Sequence, residues 1–515
     1  MSEMGFWNFA RTSPEKLALV DPDGREWSRG ELLAEANRLT HGLRAQGLGR
    51  GDGVAVVLEN CAEMYQVYLA VTQAGMWMTP INTHLTAPEI AYIVEDSGAK
   101  VFIGSARFAA ECAEARELAH FPSDKAFARG DVPGFEPFEA LKSGQPDTLP
   151  EDRAAGQVMN YTSGTTGKPK GVRRPMADLS PDLMATLMSG LLGMFRIQPE
   201  DDNVHYCGSP LYHTAPLVFS GNALHMGHAV VLDDKWMPEE MLRRIEQYRV
   251  THSHMVPTQF HRLLKLDAEV RDRYDVSSLR AMIHAAAPCP IETKWKMLDW
   301  WGDTIWEYYG ATEGGGAVVS PEEWRKYPGT VGRPWPNADI KIFDDEGREL
   351  GPNQVGTVYM LLAGAGFEYK GAAQKTRENR IGNYFTVGDV GELNDDGYLF
   401  LRDRKLDMII SGGANLYPAE IEAELIQHPK VADVAVFGIP NDDWGEEVKA
   451  VVEPVEGVVP DEALTAEILA WCEGRLAKMK QPRSIDYVEA LPRDPNGKLY
   501  KRKLRDPYWE GRSQI

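Results

Sequence analysis

Residues 160–174 read NYTSGTTGKPKGVRR, and their central part, YTSGTTGKPKG from Tyr161 to Gly171, decides how the rest of the chain is read. Between Thr162 and Gly171 it holds three glycines, four hydroxyl side chains and two lysines. Glycines let backbone N–H groups converge, hydroxyls add donors and lysines add point charges, so the stretch suits a phosphate. It is not a Walker loop: Pro169 follows Lys168 where Ser or Thr is required, and Thr162 stands five residues before Gly167 where a glycine is required. Nor does the chain carry a dinucleotide fingerprint, because GLGRGDG (Gly47–Gly53) has Asp52 at its third glycine position. A solvated surface hairpin is the plain alternative for so polar a cluster.

Outward from this loop, apolar runs alternate with amphipathic ones. Ser28 and Glu31 have capping-box spacing, and Leu32, Ala36, Leu39 and Leu43 then share one helical face. The run VAVVL (Val54–Leu58) reads as a buried strand, CAEMYQVYLAVTQAG as a helix ending at Gly75, and APEIAYIVEDSGAKVFIG as another helix and strand. This alternation predicts an α/β fold in which helices cover mainly parallel sheets. Near Arg404 the texture changes. Residues Asn394–Gly397 form a turn signal between two apolar runs; AEIEAELIQH then reads as a helix, and VADVAVFGI and EEVKAVVEPV as strands. The expectation is a large N-terminal domain, residues 1–403, followed by a small mobile α+β domain, residues 404–515.

Composition limits the partners. Across 515 residues, 55 Lys and Arg against 76 Asp and Glu give a net charge of −21, which repels nucleic acid and anionic lipid, so an anionic ligand must be captured locally. Five scattered cysteines lack the spacing of a zinc or redox site. With no signal peptide and no long apolar run, the expectation is a cytoplasmic chain without a membrane span.

Four further motifs follow the loop: EYYGATEGG (Glu307–Gly315), VGDVGELNDDGYLFLRDR (Val387–Arg404), SGGANLYPAEIE (Ser411–Glu422) and PRDPNGKLYKRKL (Pro492–Leu504). In this order, and covering essentially the whole chain, they resemble the adenylate-forming superfamily of acyl-CoA synthetases, adenylation domains and luciferases. The resemblance implies an ATP-dependent enzyme that converts a carboxylic acid to acyl-AMP, with release of pyrophosphate, and then passes the acyl group to coenzyme A; the stretch from His205 to Ala317, rich in Met, small residues and aromatics, suits an apolar acid.

Residue by residue, the resemblance implies that Thr162, Ser163, Gly164, Thr165, Thr166, Gly167 and Lys168 embrace the phosphates of ATP, with Ala286, Tyr309 and Gly310 at the base and Asp389 and Arg404 at the ribose. Thr312 would touch the α-phosphate, Glu313 would hold Mg2+, and Lys498 would be the catalytic lysine. In PLYHTAP (Pro210–Pro216), His213 would border the acyl pocket and thiol tunnel, with Ala287, Gly315, Gly412 and Gly413. The segment has no aspartate for an amino-acid substrate, which favours the CoA-ligase branch. Leu406 occupies the hinge position, where the family usually has lysine or aspartate. A homodimer is compatible with this reading. Two rival readings are a ligase that loads the phosphopantetheine of a carrier protein and a non-catalytic nucleotide- or acyl-binding homologue.

Overall fold

The computed structural model describes residues 4–162, 169–199, 202–311, 314–362, 368–369, 374, 379–493 and 499–510. The chain divides into two compact units. One comprises Met1–Met255, Arg262–Ile283 and Gly364–Glu378, and the other Val256–His261, His284–Ala363 and Asn379–Ile515.

In the first unit the predicted alternation produces parallel sheets. One sheet runs, in spatial order, Glu136–Pro137, Ala126–Arg129, Ala99–Ser105, Gly53–Val56, Trp77–Pro80 and Gln157–Val158, every pair parallel. Gly53–Val56 and Trp77–Pro80 are buried at every position, as strands covered on both faces must be. The helix Arg29–Ala45 starts at the predicted box: the Ser28 hydroxyl accepts from the Glu31 N–H at 3.2 Å, and the Ser28 N–H donates to the Glu31 carboxylate at 2.8 Å. Thr86 and Glu89 repeat the device at the start of Ala87–Ser97, which Gly98 ends in the left-handed conformation. The apolar face of Ala87–Ser97 meets the sheet in a core that includes Val57, Ile90, Val94 and Phe102. A second parallel set places Val204–Cys207 between Ala229–Leu232 and His252–Met255, with Leu17–Val20 beyond.

The second unit is largely antiparallel where it contains the chain before Arg404. Ile305–Gly310 pairs with Gly316–Val319, and a separate sheet contains Ala338–Phe343, Gly356–Leu362, Asp389–Leu393 and Leu399–Arg404. The predicted turn closes the last pair: the Asn394 carboxamide oxygen accepts from the N–H groups of Asp396 and Tyr398, and Gly397 takes φ +77°. Beyond Arg404 the expected α+β pattern appears, with the hairpin Val431–Asn441/Gly445–Pro454, the helices Pro418–Leu425 and Glu462–Cys472, and Ser484–Tyr487 parallel to the second hairpin strand. Its core gathers Ile421, Leu425, Val434, Val436, Ala450 and Ile468. Among the described residues, no helix is long and apolar enough to cross a membrane.

Candidate active site

The opening loop is anchored from both sides. Tyr161–Thr162 pairs antiparallel with Lys170–Arg173, matching Thr162 to Lys170 and Tyr161 to Gly171. The Tyr161 hydroxyl donates to Asp96 at 2.5 Å, and the Tyr92 hydroxyl donates to the Pro169 carbonyl at 3.2 Å. Burial, aided by the Asp96 carboxylate, pushes the Tyr161 phenol far above its usual range, so it remains a donor at any ordinary pH. A helix carrying Tyr92 and Asp96 thus fixes both flanks of the loop. Ser163, Gly164, Thr165, Thr166, Gly167 and Lys168 themselves lie outside the described residues, as do Thr312, Glu313 and Lys498.

In the same unit His213 precedes the helix Thr214–His225 and packs its ring 4.6 Å from that of Tyr212. Its segment is held by Asn60, whose carboxamide donates to the carbonyls of Ser209 and Asp233 and accepts from the Leu211 N–H at 2.8 Å. Asn60 lies about 150 residues away in sequence, and no local motif marks it.

In the other unit, two motifs distant in sequence meet. Tyr309 stands near the end of the strand Ile305–Gly310, and its hydroxyl donates to Asp389 Oδ2 at 2.6 Å. Asp389 is paired in register with Arg404, whose Nε lies 3.4 Å from Asp389 Oδ1. The carboxylate is only 13% exposed, whereas Arg404 is 46% exposed. This corner therefore offers an oriented anion beside an aromatic ring and a solvent-reachable cation. Gly310 opposes Gly316 in the same strand pair. A Cβ on Gly316 would overlap the Tyr309 carbonyl, so the backbones close tightly here. Gly316 was not among the predicted residues, although the run Gly314–Gly316 marks the spot.

Gly315 takes φ +80°, and an added Cβ would stand 3.3 Å from Met360. Ala286 has φ +73°, a conformation an L-residue adopts only at a cost. Ala287 follows in the same segment, between the strand Ala281–His284 and the helix Ile291–Trp301. Lys294 of that helix places its ammonium 2.6 Å from Glu307 Oε2, and His284 Nε2 lies 3.5 Å from the same oxygen. All three side chains are buried. Burial opposes both charges, raising the Glu307 carboxyl and lowering the Lys294 ammonium from their usual values, while their mutual attraction works the other way. This cluster has no signature in the sequence because it joins two strands and a helix.

Beyond Arg404, Gly412 and Gly413 turn the strand Ile409–Ser411 into Ala414–Leu416 at φ +58° and +80°. The Gly412 N–H donates to the Trp444 carbonyl at 2.8 Å, and a Cβ at Gly412 would come within 2.5 Å of the Trp444 ring. Trp444 remains 53% exposed, so a broad aromatic flanks the glycine turn. Leu406 is also exposed, and its carbonyl accepts from Arg505 at 3.2 Å. Nearby, Lys501 pairs with Glu422 at 2.8 Å; burial opposes its charge, but the Glu422 and Asp403 carboxylates prevail and raise its pKa. Among the described residues, no cluster of His, Cys, Asp or Glu has the makings of a metal site.

The family model for "AMP-binding enzyme" matches residues 6–366, and that for "AMP-binding enzyme C-terminal domain" matches residues 420–498. The chain is 33% identical to a feruloyl-CoA synthase of an Amycolatopsis species over 510 residues, covering 98% of each chain. It is 31% identical to the fatty acid–[acyl-carrier-protein] ligase ScoC of Streptomyces coeruleorubidus, covering 95% of this chain and 92% of that one. Among solved structures it resembles the o-succinylbenzoate CoA synthetase MenE of Bacillus subtilis in complex with its acyl-adenylate intermediate. The TM-score is 0.80 at 26% identity, with 98% of this chain and 99% of that one covered.

Proposed function

Since the chain belongs to the AMP-binding enzyme family, we propose that it is an ATP-dependent acyl-CoA synthetase acting on an apolar carboxylic acid. The observation that carries this reading beyond the family match is the meeting of Tyr309, Asp389 and Arg404, predicted nucleotide residues from two separate motifs.

The reaction begins with attack of a carboxylate oxygen on the α-phosphorus of ATP. Pyrophosphate leaves with the electron pair of the broken P–O bond, and acyl-AMP, a mixed anhydride, remains. Anion meets anion in this step, so catalysis consists mainly of positioning and charge neutralisation. The adenine would lie against Tyr309 and Gly310, beside Ala286. The ribose hydroxyls would donate to Asp389, whose carboxylate Tyr309 already orients, with Arg404 alongside. The loop from Thr162 to Lys168 would cradle the phosphates, Thr312 would touch the α-phosphate, and Lys498 would bridge substrate oxygens. Magnesium would arrive with the nucleotide and be held by Glu313, lending positive charge to the phosphates.

Thioesterification then replaces AMP. The thiol of CoA attacks the acyl carbonyl, its proton is lost, and AMP leaves. His213, Ala287 and Gly315 would border the path, and Gly412 and Gly413 would give the thiol arm room once residues 404–515 have swung about Leu406. Exposure of Leu406, with one carbonyl contact to Arg505, suits a pivot. All five cysteines are free, which suits the reducing cytoplasm where we place the enzyme.

The similarity to ScoC keeps a second acceptor in view, the phosphopantetheine of a carrier protein. Incubation with ATP and a panel of fatty, aromatic, steroid and terpenoid acids should release AMP and yield an acyl hydroxamate when hydroxylamine is present. Absence of both with every acid defeats the proposal. Offering CoA and a carrier in parallel separates the two acceptors.

A further inference from the structure

We propose that Glu307 is a positioning residue that clamps both ends of the loop Ala285–Pro290 onto the strand carrying Tyr309. The inference deepens the proposed function and rests on its assignment of Ala286 and Ala287 to the nucleotide and acyl site.

His284 is the last residue of its strand before the loop, and Lys294 lies in the first turns of the helix that follows it. Both converge on one atom, Glu307 Oε2, at 3.5 and 2.6 Å. An excursion of the chain from residue 284 to residue 294 is thereby closed on a single carboxylate oxygen. Glu307 precedes Tyr309 by two positions, so the two side chains leave the same face of their strand. Whatever fixes Glu307 therefore relates the loop to the nucleotide corner formed by Tyr309 and Asp389.

Two observations give the clamp a purpose. Ala286 holds a left-handed backbone conformation, and such strain persists only where the surroundings over-determine it. Moreover, a buried ion pair is a poor device for stability, because apolar side chains of similar size often serve as well or better. The pair is nonetheless built with care: the Lys294 ammonium also sits 4.8 Å from the centroid of the fully buried Trp324 ring, and Phe260 packs edge-on to His284 at 5.2 Å. These neighbours hold the charges in one geometry. Fixing the strained loop between its two flanks accounts for that geometry, and core stability alone does not.

The test replaces the pair by apolar groups, Lys294→Met with Glu307→Leu, in the full-length enzyme. The expected result is a melting temperature at or above the parent's, faster hydrogen exchange of the amides of Ala285, Ala286 and Ala287, and KM values for ATP and acid raised about 10- to 100-fold in pyrophosphate exchange. Lys294→Arg should keep near-parental KM values, because it retains the cation. A double variant as stable as the parent, with parental KM values and loop exchange, overturns the proposal. Should the double variant not fold, Glu307→Gln, which keeps an acceptor for Lys294, takes its place, with intermediate loop exchange expected and parental exchange overturning the clamp. If the parent itself catalyses no pyrophosphate exchange, the function reading fails on its own, and loop exchange in the variants still decides the clamp.

Discussion

Asparagine at position 389 would keep the size of the side chain and remove its charge, at the point where Tyr309 and Arg404 meet. A hydrogen bond to a charged acceptor contributes about 1.5–3 kcal/mol and one to a neutral acceptor about 0.5–1.5. Two ribose hydroxyls on Asp389 would then lose about 2–3 kcal/mol together, a rise in KM for ATP of about 30- to 150-fold. Arg404, 46% exposed and 3.4 Å away, adds little because water screens it. Tyr309→Phe removes only the hydroxyl that orients the carboxylate, which frees one side chain at a cost of about 0.5–1.5 kcal/mol, or about 2- to 10-fold in KM. Since Tyr309 acts here through Asp389, the phenylalanine should add almost nothing in the Asp389→Asn background. The assay is carboxylate-dependent exchange of pyrophosphate into ATP, with thermal unfolding as a control for the fold. A KM in Asp389→Asn within about threefold of the parent, or fully additive effects in the double variant, would show that Asp389 does not hold the ribose through a carboxylate oriented by Tyr309.

Three further outcomes are expected. Lys498→Ala should abolish pyrophosphate exchange while leaving thioester formation from supplied acyl-AMP largely intact; normal exchange would remove Lys498 from the adenylation step. Gly412→Ala, whose Cβ would meet the Trp444 ring at 2.5 Å from a backbone at φ +58°, should slow transfer to CoA and spare pyrophosphate exchange, so equal loss in both half-reactions counts against a thiol-specific role. Asp21 accepts from the Ala62 N–H at 3.0 Å, and burial raises its pKa from 3.8 to about 6. A carboxyl that holds its proton more tightly when folded destabilises the protein as pH rises between those values. Asp21→Asn should therefore gain stability relative to the parent from pH 4 to pH 6, reaching a plateau of about 3 kcal/mol at most. Urea unfolding across that range checks it, and a difference independent of pH contradicts it.

Local signals were the legible ones. The Ser28–Glu31 box, the buried run after Gly53 and the Asn394–Gly397 turn are each written within a few residues, and each appears where its local chemistry predicts. The parallel sheets followed from alternation. The antiparallel sheet built on Ala338–Phe343 and Gly356–Leu362 did not, because its pairing depends on partners far along the chain. The same divide runs through the site. Tyr309, Asp389 and Arg404 were each singled out by motif, yet the bond joining Tyr309 to Asp389 spans 80 residues and has no local trace. Asn60 and the Lys294–Glu307–His284 cluster were missed for that reason: a buried carboxamide or ion pair is defined by what folding brings to it. Ala286 stood in the predicted site, but its left-handed backbone is unexpected for alanine and emerges only from the fold.

Direct attack of the carboxylate on the α-phosphorus of ATP is the step on which the proposed function stands. Supplying the best acid of the panel with 18O in both oxygens of its carboxylate, together with ATP and CoA, and weighing the released AMP tests this directly. Direct attack transfers one 18O atom to the phosphate of AMP for each acyl-CoA formed. AMP without the label, or ADP in place of AMP, would contradict it.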